Sequence, residues 1–195
     1  MPLAHPLTNR LLRLRQRLAE APRQVEQDPS VLWAAVAVVL TPDPDAILLI
    51  RRAEREGDPW SGHMALPGGR KNLSDEDLLA TVIRETREEV GMTLRADQLI
   101  GCLDDVAPRT PTLPPIAIRP FVFVLPARPT LTLNPEVAST RWADLDRLLH
   151  PETYRSVRLD IQGERREFPA YQLEDAVVWG MTERILTALL RQLNC

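Results

Sequence analysis

The sequence predicts an α+β fold in which a mixed β-sheet lies between helices. Three observations predict it. Apolar runs of strand length, such as "VLWAAVAVVL" and "IAIRPFVFVL", recur along the chain. Segments with a helical apolar stripe stand among them, near residues 8–20, 75–91 and 174–193. The two kinds do not follow the regular strand–helix repeat of a doubly wound parallel sheet. The chain has 195 residues, enough for one domain with a real core and terminal additions. Hydrophobic residues make up 44% and charged residues 26%, which excludes a disordered chain.

Thr8 is placed to cap a helix running to Glu20, with Pro22 just beyond it. Leu7, Leu11, Leu14 and Leu18 form its apolar face, which packs on the edge of the domain. Residues 1–30 are therefore read as an N-terminal helical extension, and 31–195 as the main domain. "VLWAAVAVVL" reads as a buried strand, "TPDPD" as a turn and "AILLIRR" as a second strand, which makes a hairpin. Ser74 caps the next helix, with Asp75, Glu76 and Asp77 in its first turn, where negative charge suits the dipole. Gly91 ends it.

"DQLIGCLDDV" reads as a strand and "RTPTLPP" as a loop stiffened by three prolines. "IAIRPFVFVL" is a further strand, which Pro120 places at an edge or a bulge. "VASTRW" is a short strand and "ADLDRLL" a short helix. After Pro151, "YRSVRLDI" and "REFPAYQL" alternate around Gln162-Gly163 as a second hairpin. A final helix runs from Glu174 to Leu193, with Val177, Val178, Met181, Ile185 and Leu189 facing inward and Leu186 a further candidate. The N-terminal helix and the last hairpin either pack on the domain or build a homodimer.

The net charge is −3, which argues against broad nucleic-acid or membrane-surface binding but not against a small anionic ligand. The longest apolar run, Val31 to Leu40, is too short to span a bilayer, and no signal-peptide order is seen. Two cysteines, Cys102 and Cys195, form no disulfide framework or zinc spacing, so the reducing cytoplasm is the expected compartment.

The chemistry concentrates in "LPGGRKNLSDEDLLATVIRETREEVGM", residues 66–92. Glu85, Glu88 and Glu89 are spaced i, i+3 and i+4, so they project from one side of a helix. Three like charges so close destabilise an isolated helix, and a divalent cation offsets the repulsion. Carboxylate oxygens are hard ligands, so magnesium or manganese is the natural guest. Leu78, Leu79, Val82, Ile83 and Val90 supply an opposite, apolar stripe, so the acids are presented from a docked element. Gly68 and Gly69 precede the helix as a turn that permits close approach of a metal or a phosphate.

Together these residues resemble the signature of Nudix hydrolases: Gly, five residues, Glu, seven residues, Arg-Glu, an aliphatic, any residue, Glu-Glu, any residue, Gly, an aliphatic. Glu76, Arg84-Glu85, Glu88-Glu89, Gly91 and Met92 fit in register. The family glycine falls on Arg70, with Gly69 one residue early, and Thr86 stands where an aliphatic is usual. The resemblance implies an α/β/α sandwich with a mixed sheet and a loop–helix–loop box at 69–92. It implies hydrolysis of a nucleoside diphosphate linked to another group. It makes Glu88 and Glu89 metal ligands, Glu85 a ligand or base, and the Gly69 carbonyl a further ligand. Glu76 and Arg84 pair to hold the loop on the helix. Glu136, in "NPEVASTRW", is a candidate outer ligand or base.

Upstream, "LLIRRAEREGDPWSGHMALPGG" resembles the extra signature of the coenzyme A pyrophosphatases in that family, matching at Leu48, Leu49, Arg52, Gly62, Pro67, Gly68 and Gly69. Departures are Ile50, Ala53, Asp58 and Leu66. "VVWGMTERIL" resembles the start of that branch's last helix. Strand alternation puts Arg51 and Arg52 on opposite faces, and Arg52 is the one assigned to the substrate phosphates, beside Gly68 and Gly69. Trp60 and Met64 either wall a substrate pocket or are simply buried. Arg55, Arg109 or Arg119 could meet the 3′-phosphate in place of the arginine missing near Asp58. The expected substrate is coenzyme A or a thioester of it. The alternatives are ADP-ribose, nucleotide sugars or dinucleoside polyphosphates, and a Nudix-derived regulator without turnover.

Overall fold

The computed structural model describes residues 7–20, 30–57, 60–108, 115–161 and 164–194. In chain order they form α1 (Asn9–Glu20), β1 (Leu32–Thr41), β2 (Ala46–Arg52), β3 (Met64–Ala65), β4 (Gly68–Arg70), α2 (Leu78–Val90) and β5 (Leu99–Cys102). There follow β6 (Ile116–Val124), β7 (Val137–Asp144), α3 (Leu145–Leu149), β8 (Tyr154–Ile161), β9 (Glu164–Gln172), β10 (Val177–Trp179) and α4 (Gly180–Asn194). Pro22, Asp58, Arg109, most of the proline-rich loop, the Gln162-Gly163 turn and Cys195 lie outside the described residues.

The fold is a mixed sheet between helical layers. Alternation along β1 divides the core in two. Ala35, Ala37 and Val39 face Leu78, Val82 and Val90 of α2. Ala34, Val38 and Leu40 face the other layer, with Leu11, Leu14 and Leu18 of α1 and Ile185, Leu186 and Leu189 of α4. The sheet runs β3-β2-β1-β6-β5, with β4 also on β1 and β7 also on β2. Parallel pairing of β1 with β6 extends from Leu32↔Ile116 to Leu40↔Val124.

The β1–β2 hairpin closes only at Leu40↔Ile47 and Thr41↔Ala46. Beyond that the strands diverge. β2 takes β7 as its partner, and β1 accepts β4 at Ala35↔Gly69 and Val36↔Gly68. The glycine pair thus lies in a short strand rather than a turn. Gly68 sits at φ +147, and a Cβ there would stand 2.2 Å from the Ala35 carbonyl oxygen. Only glycine allows this approach.

Three other expectations change. The cap of α2 is Asp77, whose carboxylate accepts from Ala80 N at 2.7 Å. Ser74 is exposed and lies before it, because the three acids belong to the loop and not to the first turn. Pro120 lies inside the sheet. Its carbonyl accepts from Leu103 N, but proline has no N–H to return the second bond of that antiparallel pair, and β5 ends beside it at Cys102. Val177–Trp179 forms β10 against β9, and the last helix begins only at Gly180, φ +70. β-branched and aromatic side chains favour the strand there over the helix.

Thr8 caps α1 as its position predicts, accepting from Leu11 N at 3.3 Å. Its hydroxyl also donates to Asp45. α1 then packs across β5 and α4, where a Cβ on Gly101 would be 2.6 Å from that of Leu18. No helix among the described residues is long and apolar enough to cross a membrane.

Candidate functional site

α2 docks through its apolar stripe, which turns Glu85, Glu88 and Glu89 toward β4 and the loop before it. Their environments differ. Glu89 is buried, 4% exposed, and accepts from the Gly68 backbone N–H at 2.8 Å. Burial pushes its carboxyl up to about 7, and nearby Glu85 adds to this. Glu85 is partly buried and lies over Gly69, where a Cβ would fall 2.5–2.7 Å from its carboxylate atoms. Its carboxyl is also raised by burial, with Arg84 pulling the other way. Glu88 is about half exposed at the edge of the site.

Arg84 organises the acids. Its Nε and Nη2 donate to the two oxygens of Asp75 at 2.9 and 2.8 Å. Its Nη1 donates to Glu85 at 2.8 Å and to Glu88 at 3.1 Å. Asp75 also accepts from Asn72 N and Thr81 Oγ1, so it clips the loop to the helix. These contacts hold the Asp75 carboxyl well below the usual range. The expected Glu76–Arg84 pair is therefore replaced by Asp75–Arg84, and Glu76 is exposed. Counting five residues on from Gly69 instead of Arg70 arrives at Asp75. The extra residue of the box thus falls between Asp75 and Arg84, and the glycine spacing was the signal for it.

Two more predicted residues reach the Glu89 carboxylate through space. Arg52 pulls its proton affinity down and Glu136 pushes it up. The loop before β7 explains Glu136. Thr132 N and Asn134 N donate to the carbonyls of Val90 and Glu89, strapping the loop to the end of α2. The Glu136 carbonyl then accepts from Ala53 N at 2.8 Å, and its side chain pairs with Arg55 at 3.1 Å. Arg51 points the other way, to the carbonyls of Asp175 and Gly62. Arg119 grips Asp105 through two bonds of 2.9 and 2.8 Å and lies over the Trp33 ring, so its donors are engaged. Met64 is buried in the core, while Trp60 is 38% exposed.

Among the described residues no three acidic, histidine or cysteine side chains form a ready-made cation cage. Arg84 stands between Glu85 and Glu88 in the arrangement seen. The donors nevertheless suit a hard divalent cation. All are oxygens, one is a buried carboxylate that carries charge at high cost, and a side chain at Gly69 would fill the space against Glu85.

The NUDIX domain family profile matches residues 31–161. The chain belongs to the Nudix family. It is 42% identical over 119 residues to the uncharacterized protein C14C4.10c of Schizosaccharomyces pombe, an alignment that covers 58% of this chain and 36% of that one. The chain thus spans about a third of that relative's length. It is 28% identical over 162 residues to the uncharacterized Nudix hydrolase NudL of Photorhabdus laumondii, covering 83% of this chain and 84% of the relative. Among solved structures, a MutT/nudix family protein from Enterococcus faecalis superposes with a TM-score of 0.60 at 17% identity, over 96% of this chain and 75% of that one. That likeness speaks for the Nudix fold alone.

Proposed function

We propose that this Nudix hydrolase cleaves the pyrophosphate of coenzyme A or its thioesters, releasing adenosine 3′,5′-bisphosphate and phosphopantetheine or its acyl form. One observation supports this substrate. The stretch before the box and the Trp179-Gly180 stretch resemble the coenzyme A branch separately, and in space they touch. The rings of His63 and Trp179 meet edge-on with centroids 4.9 Å apart. Arg51 donates to the Asp175 carbonyl at 2.9 Å.

We assign Glu85, Glu88, Glu89 and the Gly69 carbonyl to holding magnesium or manganese. Such a cation, when bound, neutralises pyrophosphate charge and acidifies water. Arg52 pairs with a substrate phosphate through its planar donors. Gly68 and Gly69 let the phosphates approach the backbone. Glu85, Glu88 or Glu136 takes the proton of the attacking water. The partner is a small nucleotide rather than a nucleic acid or a membrane, in the cytoplasm. Residues 1–30 extend the hydrolase domain of 31–195, and light scattering tests for a homodimer.

The deciding experiment is a substrate panel with magnesium or manganese. Coenzyme A and acetyl-coenzyme A are expected to give the highest kcat/KM. Faster cleavage of ADP-ribose, a nucleotide sugar or a dinucleoside polyphosphate overturns the substrate assignment. Tight binding across the panel with no hydrolysis makes the chain a ligand-binding regulator.

A further inference from the structure

Glu136 lies in the turn before β7, yet it is held at its N–H, its carbonyl and its carboxylate. Its N–H donates to Asn134 Oδ1 at 2.9 Å. Its carbonyl accepts from Ala53 N at 2.8 Å. Its Oε1 accepts from Nη2 of Arg55 at 3.1 Å. Arg55 stands between Glu54 and Glu56, but it pairs with the acid 81 positions away. Glu54 turns instead to Gly62, where a Cβ would lie 3.8 Å from its Oε1. Arg55 N donates to Ser61 Oγ at 2.7 Å, which folds the loop after β2 on itself and fixes the root of the guanidinium arm.

These bonds lead to the acidic helix. Asn134 N donates to the Glu89 carbonyl at 3.0 Å, so a single residue ties the backbone of Glu136 to that of Glu89. The β2–β7 register shifts by one residue between Arg51 and Arg52, which sets Val137 opposite Arg52. Irregularities of this kind re-aim side chains beside sites. Glu136 thereby adjoins the strand end that carries Arg52, and the charges of both reach the Glu89 carboxylate.

The Arg55–Glu136 pair adds little to folding. Both side chains are 52% exposed, and ion pairs in that setting contribute weakly to stability. What the pair fixes is direction, since a glutamate in a turn otherwise samples several rotamers. Arg55 engages Oε1 and, among the described residues, leaves Oε2 to take a proton. Glu85 and Glu88, the other candidate bases, instead share Nη1 of Arg84.

Building on the reading of Glu136 as the base, we propose that Arg55 and Asn134 are positioning residues: Asn134 sets the Glu136 backbone against the end of α2, and Arg55 aims its carboxylate at the attacking water. In that step the water oxygen bonds to phosphorus, its proton passes to Glu136, and the bridging oxygen leaves with the other phosphate. The test uses the full chain with magnesium and the panel member, coenzyme A, ADP-ribose or another, that gives the highest kcat/KM, so it stands apart from the coenzyme A assignment. Glu136→Gln is expected to lower kcat about 100-fold. Arg55→Gln and Asn134→Ala should each lower it about tenfold with KM kept within about twofold. Arg55→Lys and Asn134→Asp, which keep the ion pair and the acceptor oxygen, should recover most of the loss. In a Glu136→Gln background neither Arg55→Gln nor Asn134→Ala lowers kcat further, because the group they aim is gone. The Tm of Arg55→Gln should lie within about 2 °C of the unmodified chain. Its manganese affinity, read by electron paramagnetic resonance, should be unchanged. Full turnover in Glu136→Gln, or no turnover across the panel, overturns the base assignment and this proposal with it. Normal kcat in Arg55→Gln, or a loss that persists in the Glu136→Gln background, overturns the positioning role alone. Manganese binding weakened about tenfold in Arg55→Gln also overturns it and makes the pair part of the metal site.

Discussion

Burying Glu89 lifts its carboxyl from the ordinary 4.5 to about 7. Between those values the folded chain holds a proton that the unfolded chain has lost. Stability without metal therefore falls as pH rises through that window, by an amount on the order of 3 kcal/mol from this residue. Glu89→Gln keeps an oxygen for the Gly68 N–H and removes the charge. In chelator, its Tm advantage over the unmodified chain should grow from pH 4.5 to 7, and a pH-independent difference would refute the linkage. The same variant should lose metal-dependent turnover by about 100-fold or more, since even outer partners of metal ligands carry effects of that size. Thr86 offers a second test. It is fully buried and its hydroxyl has no hydrogen-bond partner among the described residues. Thr86→Val restores the aliphatic residue expected there and should stabilise the chain by about 1 kcal/mol in urea unfolding. At this scale the sequence was informative where spacing along one helix decides geometry, as with Glu85, Glu88 and Glu89. It misled at Glu76, because the partner of Arg84 depends on where a loop carries its extra residue.

The contact between β4 and α2 separates two adjacent glycines by function. A side chain at Gly68 meets backbone, at a φ that L residues avoid, whereas the atoms nearest one at Gly69 are the carboxylate end of the Glu85 side chain. Gly68→Ala is expected to cost about 3 kcal/mol or more of stability. Gly69→Ala should leave Tm nearly unchanged and lower kcat by displacing Glu85. Thermal melts beside kinetics distinguish the two, and a shared stability defect would contradict the assignment. The loop clip is tested by Asp75→Asn, which loses the charge-assisted fork to Arg84 and should destabilise by about 2 kcal/mol. Glu76→Gln, at an exposed position, should be close to neutral in the same assay. Element types were legible from periodicity, but their ends were not. Asp77 displaces Ser74 as cap because acids three deep all look like capping residues, and only the loop geometry ranks them. β10 was hidden because a valine pair and a tryptophan also continue a helical stripe.

Across the whole molecule, the layer built by α1 and α4 lies outside residues 31–161 on both sides. Leu11 and Leu14 are fully buried there, and Arg17 donates to the Gln192 carbonyl at 2.7 Å. Leu14→Ala should therefore cost about 3 kcal/mol in chemical denaturation, as a core truncation does and as a loosely attached extension would not. The sequence marked the apolar stripe of each helix, yet nothing in either stripe says that the two share a core, because that pairing is a contact between the ends of the chain. It also orders events during synthesis. α1 leaves the ribosome well before α4, and some 160 residues of translation separate the two. Until α4 emerges, the leucines of α1 lack that side of their packing, so a nascent or prematurely terminated chain presents them to chaperones and proteases.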